Sequence, residues 1–447
     1  MYVSERKVYP RDVDGRFQRL RRLAVFVLLG LYYGVAWLNW DGRQAVLWDL
    51  PARKFYVFGM SFWPQDFIFL ALILIIAGLS LFFFTALAGR LWCGYACPQT
   101  VWTETFLWIE QWLEGDRSQR MKLDAAPWSA NKIRRKLGKH TLWIVFALWT
   151  GFTFVGYFTP IRELTDRVWP FAWSGWETFW VLFYSFATWG NAGFMREQVC
   201  KYMCPYARFQ SAMFDRDTLI IAYDAKRGEE RGARKRGVDY QAKGLGDCID
   251  CTICVQVCPT GIDIRDGLQI ECIACGACVD ACDEVMDRMN YPRGLVRYST
   301  QHQIDGHPTH VFRWRILIYA VLLGALILGV ALSILWRKPV IMDVLRDRNA
   351  LYRETFDKQV QNGYMLRIIN KTTESRTFTL TLDGPEGIVF ARDPGLIELP
   401  PEEVRTIGVL LASPPGVIRG KADIEFALHS KADDLTVTES SRFFAPE

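Results

Sequence analysis

Five stretches of the chain run apolar and uncharged for about 20 residues each, the length of a membrane-crossing helix: 23–40, 67–89, 141–161, 178–195 and 316–336. After Trp336 the pattern changes to a period of two, in YMLRIIN, RTFTLTL, IGVLLAS, ADIEFAL and LTVTES, with Gly, Pro and Asp turns between them. This predicts a five-helix transmembrane domain followed by an immunoglobulin-like β-sandwich. Between the fourth and fifth runs lies a polar, cysteine-rich segment. The aromatic stretch 100–115 is broken by Glu104, Glu110 and Glu114, and is expected to lie along the membrane surface.

Charge orients these elements. Lys and Arg number seven in 1–22, three in 41–66, nine in 90–140 and two in 162–177, and are many in 196–315. Cytoplasmic loops carry the excess, so the N-terminus is expected inside and the C-terminus outside a bacterial inner membrane. The basic start precedes no small-residue cleavage site, so no removed signal peptide is expected. The expected layout is 1–22 as a cytoplasmic basic N-terminus, 23–198 as a four-helix region and 199–313 as a cytoplasmic segment with a ferredoxin-like domain over about 240–295. Residues 314–337 then form the fifth helix and 340–447 a periplasmic sandwich. The composition, 51% hydrophobic with 18 Trp and 29 Phe, favours lipid over one globular core. The net charge of +5 is modest, and no nucleic-acid partner is expected. The run 225–237, with six basic and two acidic residues, reads as a solvated linker.

The strongest chemical signal is CIDCTICVQVCP. Cys248, Cys251, Cys254 and Cys258 follow the C-x2-C-x2-C-x3-C-P spacing of two-cluster bacterial ferredoxins, and Cys272, Cys275, Cys278 and Cys282 repeat it with Asp283 in place of proline. In that arrangement the fourth cysteine of each run serves the other cluster. The expected ligand sets for two [4Fe-4S] clusters are therefore 248, 251, 254 with 282, and 272, 275, 278 with 258. Zinc sites pair two C-x2-4-C units, a poorer match. No cysteine follows Cys282, as suits an oxidising compartment for the tail.

Two further pairs, Cys93/Cys97-Pro98 and Cys200/Cys204-Pro205, share a C-x3-C-P pattern. Proline suits the first position of a helix, so Cys97 and Cys204 should face helix N-termini, whose partial positive charge favours thiolate, helped by Arg90, Lys201 and Arg208. Three uses fit: a soft copper site, a dithiol–disulfide couple, or ligands to a third iron–sulfur cluster. His302, His307 and His310, before the fifth helix, and His140, at the start of the third, are expected on the same face, with Met203 as another soft donor. An ordinary interfacial role competes with a secondary metal site there. No histidine falls in an apolar run, so facing axial ligands for a transmembrane haem are missing.

With its paired motifs WCGYACPQTVWTE and VCKYMCPYARFQSAM, duplicated ferredoxin run and cysteine-free β tail, the chain resembles the cytochrome c oxidase accessory proteins of the CcoG, FixG and RdxA type, over nearly its whole length. The resemblance implies a role in assembling a cbb-type oxidase. Copper(II) would be the substrate, reduced at Cys93, Cys97, Cys200 and Cys204, and Cu(I) would pass to a copper chaperone or oxidase subunit, with the electron donor unspecified. The competing functions are a quinol-linked electron-transfer subunit feeding a partner reductase, and a non-enzymatic assembly scaffold whose clusters only hold the inner domain together.

Overall fold

The apolar run that starts at residue 23 belongs to a helix that begins earlier and ends sooner: Arg16–Val35 takes in Arg16, Arg19, Arg21 and Arg22. The chain leaves it for a small hairpin, Asn39–Trp40 on Arg43–Gln44. Asp41 and Gly42 turn this hairpin at φ 47 and 79, the left-handed pair whose twist matches that of the strands. This computed structural model describes residues 7–348, 350–431 and 434–447. They divide into one compact unit of residues 1–59 and 65–329 and a second of 60–64 and 330–447.

In the first unit, the run at 67–89 is the helix Phe67–Ala88 and that at 316–336 is Trp314–Leu335. Among the described residues these two helices are long and apolar enough to cross a membrane. The other expected spans are only partly helical or interrupted: 23–40 leaves its helix, Arg16–Val35, at residue 35, 141–161 leaves Ala130–Val155 at residue 155, and 178–195 runs from Gly175–Thr188 into a π-helical turn that ends at Met195. His140 sits inside the helix that opens at Ala130, not at its start. The helix Pro98–Glu114 departs from the surface-lying segment expected of it. Its glutamates turn inward, with Glu110 and Glu114 at 0% exposure. There Glu104 pairs with Arg21 at 2.8 Å and Glu114 with Lys139 at 2.8 Å, while Arg196 hydrogen-bonds Glu110.

The ferredoxin-like part is built on two short helices, Ile253–Gln256 and Ala277–Met289, and a strand pair, Ile220–Tyr223 on Val296–Ser299. Ile221, Ile264, Val285, Met286 and Leu295 fill its core. The missing proline at Asp283 lets the second helix run on past Cys282, and the Asp283 carboxylate accepts from Gly294 N at 2.9 Å. Asp280, on the same helix, accepts from the backbone of Phe17 at 3.2 Å and Gln18 at 2.8 Å. It thereby caps Arg16–Val35, whose own N-cap, Gly15, has no side chain to do so. The 225–237 run is not a solvated linker throughout. Arg227 pairs with Asp247, and Arg234 donates to Gly246 O at 2.6 Å while lying over Tyr240 and Tyr291.

In the second unit, alternation becomes two antiparallel sheets. One has the order 389–390, 404–413, 360–370, 340–346, with 353–354 also on 360–370; the other has the order 396–399, 376–383, 421–430, 436–444. Inward residues such as Leu366, Ile368, Phe378, Leu411, Phe426 and Phe443 form its core. His429 is a cross-strand partner, hydrogen-bonded to Thr436 and Thr381.

Candidate iron–sulfur and thiol sites

The eight ferredoxin-type cysteines gather in two groups. Cys248, Cys251, Cys254 and Cys282 line one cavity with Tyr223, Val285 and Leu295. Cys258, Cys272, Cys275 and Cys278 line a second with Ile221, Ile264 and Ile273, and Cys254 also borders it. Helix geometry explains the grouping. Cys278 and Cys282 stand one turn apart on Ala277–Met289, and Cys254 and Cys258 are spaced likewise at and just beyond Ile253–Gln256, so each helix serves both cavities.

None of the twelve cysteines is in a disulfide. Burial in apolar surroundings pushes the thiols of Cys254, Cys272 and Cys282 up to about 12, and raises Cys275 and Cys278 as well. Two quartets of buried or partly buried, soft sulfur donors fit [4Fe-4S] clusters, which would draw off the protons and be bound by the sulfurs as thiolates.

The two C-x3-C-P motifs converge. Cys93 and Cys97 come from the turn Leu91–Tyr95 and the N-cap of Pro98–Glu114; Cys200 and Cys204 come from a second turn, Val199–Met203, and the N-cap of Pro205–Ser211. Charge on Cys97, Cys93 or Cys204 would act on Cys200, and charge on Cys204 would act on Cys93 and Cys97. The buried Arg90 is the cation shared by Cys93, Cys97 and Cys200. The helix N-terminus reaches Cys97 as expected, through the backbone N–H groups of Gln99 and Thr100. Its effect is outweighed: burial raises Cys97 and pushes Cys93 to about 11 and Cys200 to about 12, so without metal these thiols hold their protons.

Among the described residues, no three His, Cys, Asp or Glu side chains close on one point as they would around a single ion. His302 faces Asp217 at 2.8 Å, its ring 6.3 Å from that of His307, and the backbone N–H of His310 binds the same carboxylate. His140 packs against Trp143, Trp189 and Phe194, and Met203 is exposed. The sequence reading missed Arg21 and Gly94 and gave Arg90 only a supporting part. Arg21 lies buried near Cys275 and Cys258. Its signal in the sequence was there, but in LRR it is indistinguishable from a topology-setting charge.

Buried thiol quartets in a duplicated ferredoxin module, beside long apolar helices, define an iron–sulfur protein of the membrane polyferredoxin class. Family models agree: a 4Fe-4S dicluster domain matches residues 195–301, a 4Fe-4S binding domain 69–118, and an IG-like fold at the C-terminal of FixG 330–446. The nitrogen fixation protein FixG of Rhizobium meliloti is 38% identical over 86% of this chain and 80% of its own. Proteins RdxB and RdxA of Cereibacter sphaeroides are 40% and 42% identical, over 95% and 87% of this chain and 92% and 84% of theirs. A crystal structure of a FixG-related protein from Vibrio parahaemolyticus aligns with 24% of this chain and 96% of its own, at 29% identity and a TM-score of 0.22. The chain belongs to the FixG/RdxA family and is an iron–sulfur electron-transfer protein associated with the membrane.

Proposed function

We propose that this protein reduces Cu(II) to Cu(I) at Cys93, Cys97, Cys200 and Cys204, supplying reduced copper for assembly of a cbb-type cytochrome c oxidase. The observation that carries the reading is the mutual proximity of these four thiols, with the buried Arg90 acting on Cys93, Cys97 and Cys200 and with Cys93 and Cys275 in one buried cluster. The two cysteine quartets would hold the clusters, which when bound would supply single electrons. The four sulfurs bind copper with loss of their protons, and soft sulfur favours Cu(I) over Cu(II). Arg90 offsets the negative charge that accumulates there. Cu(I) then leaves to a chaperone or an oxidase subunit.

The topology belongs to the same proposal. Five helices cross the inner membrane, the cysteines lie at its cytoplasmic side, and the β-sandwich is periplasmic, where it docks on a partner. The exposed apolar rows Leu23, Val27, Leu31 on the first helix, Ile144, Val145, Leu148 on the third and Phe179, Phe183, Phe186 on the fourth support lipid contact.

A second reading, a third cluster on the same four cysteines, is favoured by the 4Fe-4S binding domain match over 69–118. Anaerobic Cys97→Ser/Cys204→Ser protein separates them. Copper reduction lost with iron content unchanged supports the copper site, and loss of about a third of the iron supports the third cluster. Wild-type copper reduction in this variant would sink the first reading.

A further inference from the structure

The turn that carries Cys93 touches one quartet and not the other. A Cβ on Gly94 would lie 2.7 Å from Ile273 O, 2.9 Å from Cys275 Cα and 3.0 Å from Ala274 O, distances that side chains do not tolerate. Gly94 is an ordinary helical residue, so it is the missing side chain, not a special backbone angle, that the position requires. Cys93 shares a buried apolar cluster with Ile273, Cys275 and Ala277. Next to it, Tyr95 Oη lies 3.2 Å from Tyr298 Oη, which donates to Ala274 O at 2.6 Å. Arg90, 5% exposed, donates to Ile270 O, and its charge is felt at Cys272 as well as at Cys93, Cys97 and Cys200. Its Nε has no hydrogen-bond partner.

The first quartet has none of these neighbours. The arginine beside it, Arg265, is bound to Asp263 and Asp250. Asp250 and Thr252, on either side of Cys251, are exposed.

We propose that Arg90 and Gly94 are positioning residues that couple the four-thiol site to the second quartet alone, leaving the first quartet, at the exposed side, to take electrons from a donor. The proposal rests on the reading of the four thiols as a redox site. The step it describes moves one electron: the centre on Cys258, Cys272, Cys275 and Cys278 is oxidised by one electron, and one Cu(II) on the thiols becomes Cu(I), with no bond to protein made or broken in the transfer.

The test uses full-length, anaerobically purified protein with its clusters in place. Redox titration followed by EPR reads each centre, the two signals being assigned with Cys251→Ser and Cys275→Ser. A buried cation stabilises the more negative reduced state, so Arg90→Gln should shift the second centre to lower potential, roughly tenfold in its reduction equilibrium or about 59 mV, with the first unmoved and Arg90→Lys restoring most of the shift. Gly94→Ala should keep both signals and the iron. Rapid mixing of its dithionite-reduced form with Cu(II) should show oxidation slowed by roughly tenfold or more, since it pushes the 272–275 loop away. A shift at the first centre, no shift at either, or wild-type oxidation by Cu(II) in Gly94→Ala would overturn the coupling. If Gly94→Ala loses its clusters, the Arg90 titrations decide alone. Undiminished Cu(II) reduction by Cys97→Ser/Cys204→Ser would instead remove the copper reading, and the Arg90 titrations would still decide the coupling.

Discussion

Glu110→Gln should destabilise the first unit more than any exposed substitution, because the carboxylate sits at 0% exposure amid cations. Arg196 hydrogen-bonds it, Lys7 lies at 3.6 Å, and Arg120 and Lys139 lie at 3.9 Å. Burial alone would raise its pKa, but Arg196, Lys139 and Lys7 hold it below the usual carboxylate range, so it is ionised. At 3.9 Å and an effective dielectric of about 20, each of the two more distant buried cations is attracted by about 4 kcal/mol before desolvation is counted. Desolvation offsets much of this sum, and breaking such a buried set from one side leaves a net cost of about 3–5 kcal/mol. For a unit of this kind that lowers the unfolding temperature by on the order of 10 °C. The assay is loss of iron–sulfur absorbance on heating in detergent at one fixed scan rate, since unfolding here is expected to be irreversible. Glu110→Gln/Arg196→Met should recover part of the loss, because it removes the buried cation whose carboxylate partner has been neutralised, while Lys139 keeps Glu114 at 2.8 Å. A single variant within a degree or two of wild type, or a double variant that recovers nothing, would refute the reasoning.

Cys258→Ser should remove the EPR signal of the centre on 272, 275 and 278 and spare the other, because Cys258 lines only the second cavity; loss confined to the first centre contradicts this. Asp280→Ala removes both N-terminal capping hydrogen bonds of Arg16–Val35 and should cost about 1–2 kcal/mol, read as a lower temperature of cluster loss. Burial would raise the Asp124 carboxyl, but hydrogen bonds from Lys136, Lys7 and Tyr9 depress it well below the usual range. Its stabilisation is therefore complete above the unfolded value of about 4 and lost as pH falls toward the depressed folded value. Wild type and Asp124→Asn should differ in melting temperature at pH 7 and begin to converge only as pH falls below about 4. A phosphatase fused after Glu447 should be active if the C-terminus is periplasmic, and an inactive fusion overturns the proposed topology.

The parts legible in the sequence were those with a local physical cause. Alternation at period two in RTFTLTL and ADIEFAL must put one face of each strand into a core, and Phe378, Leu380, Ile424, Phe426 and Leu428 are that core. The spacing of Cys248 to Cys258 and of Cys272 to Cys282 announces iron–sulfur ligands because a tight loop must wrap a cluster. Pro98 and Pro205 mark helix starts because proline needs no donor there. What pattern alone could not decide is anything that depends on a distant partner. The glutamates of 98–114 read as a surface face, since their cations lie on five other segments, at Lys7, Arg21, Arg120, Lys136 with Lys139, and Arg196. The helix N-terminus promised a thiolate at Cys97, yet burial, which no spacing reveals, outweighs that field and keeps the metal-free thiol protonated. The glycine of WCGYAC carries no signal of its own in the sequence. Only the approach of Ile273 and Cys275 to within 3 Å of where its side chain would stand shows why nothing larger fits.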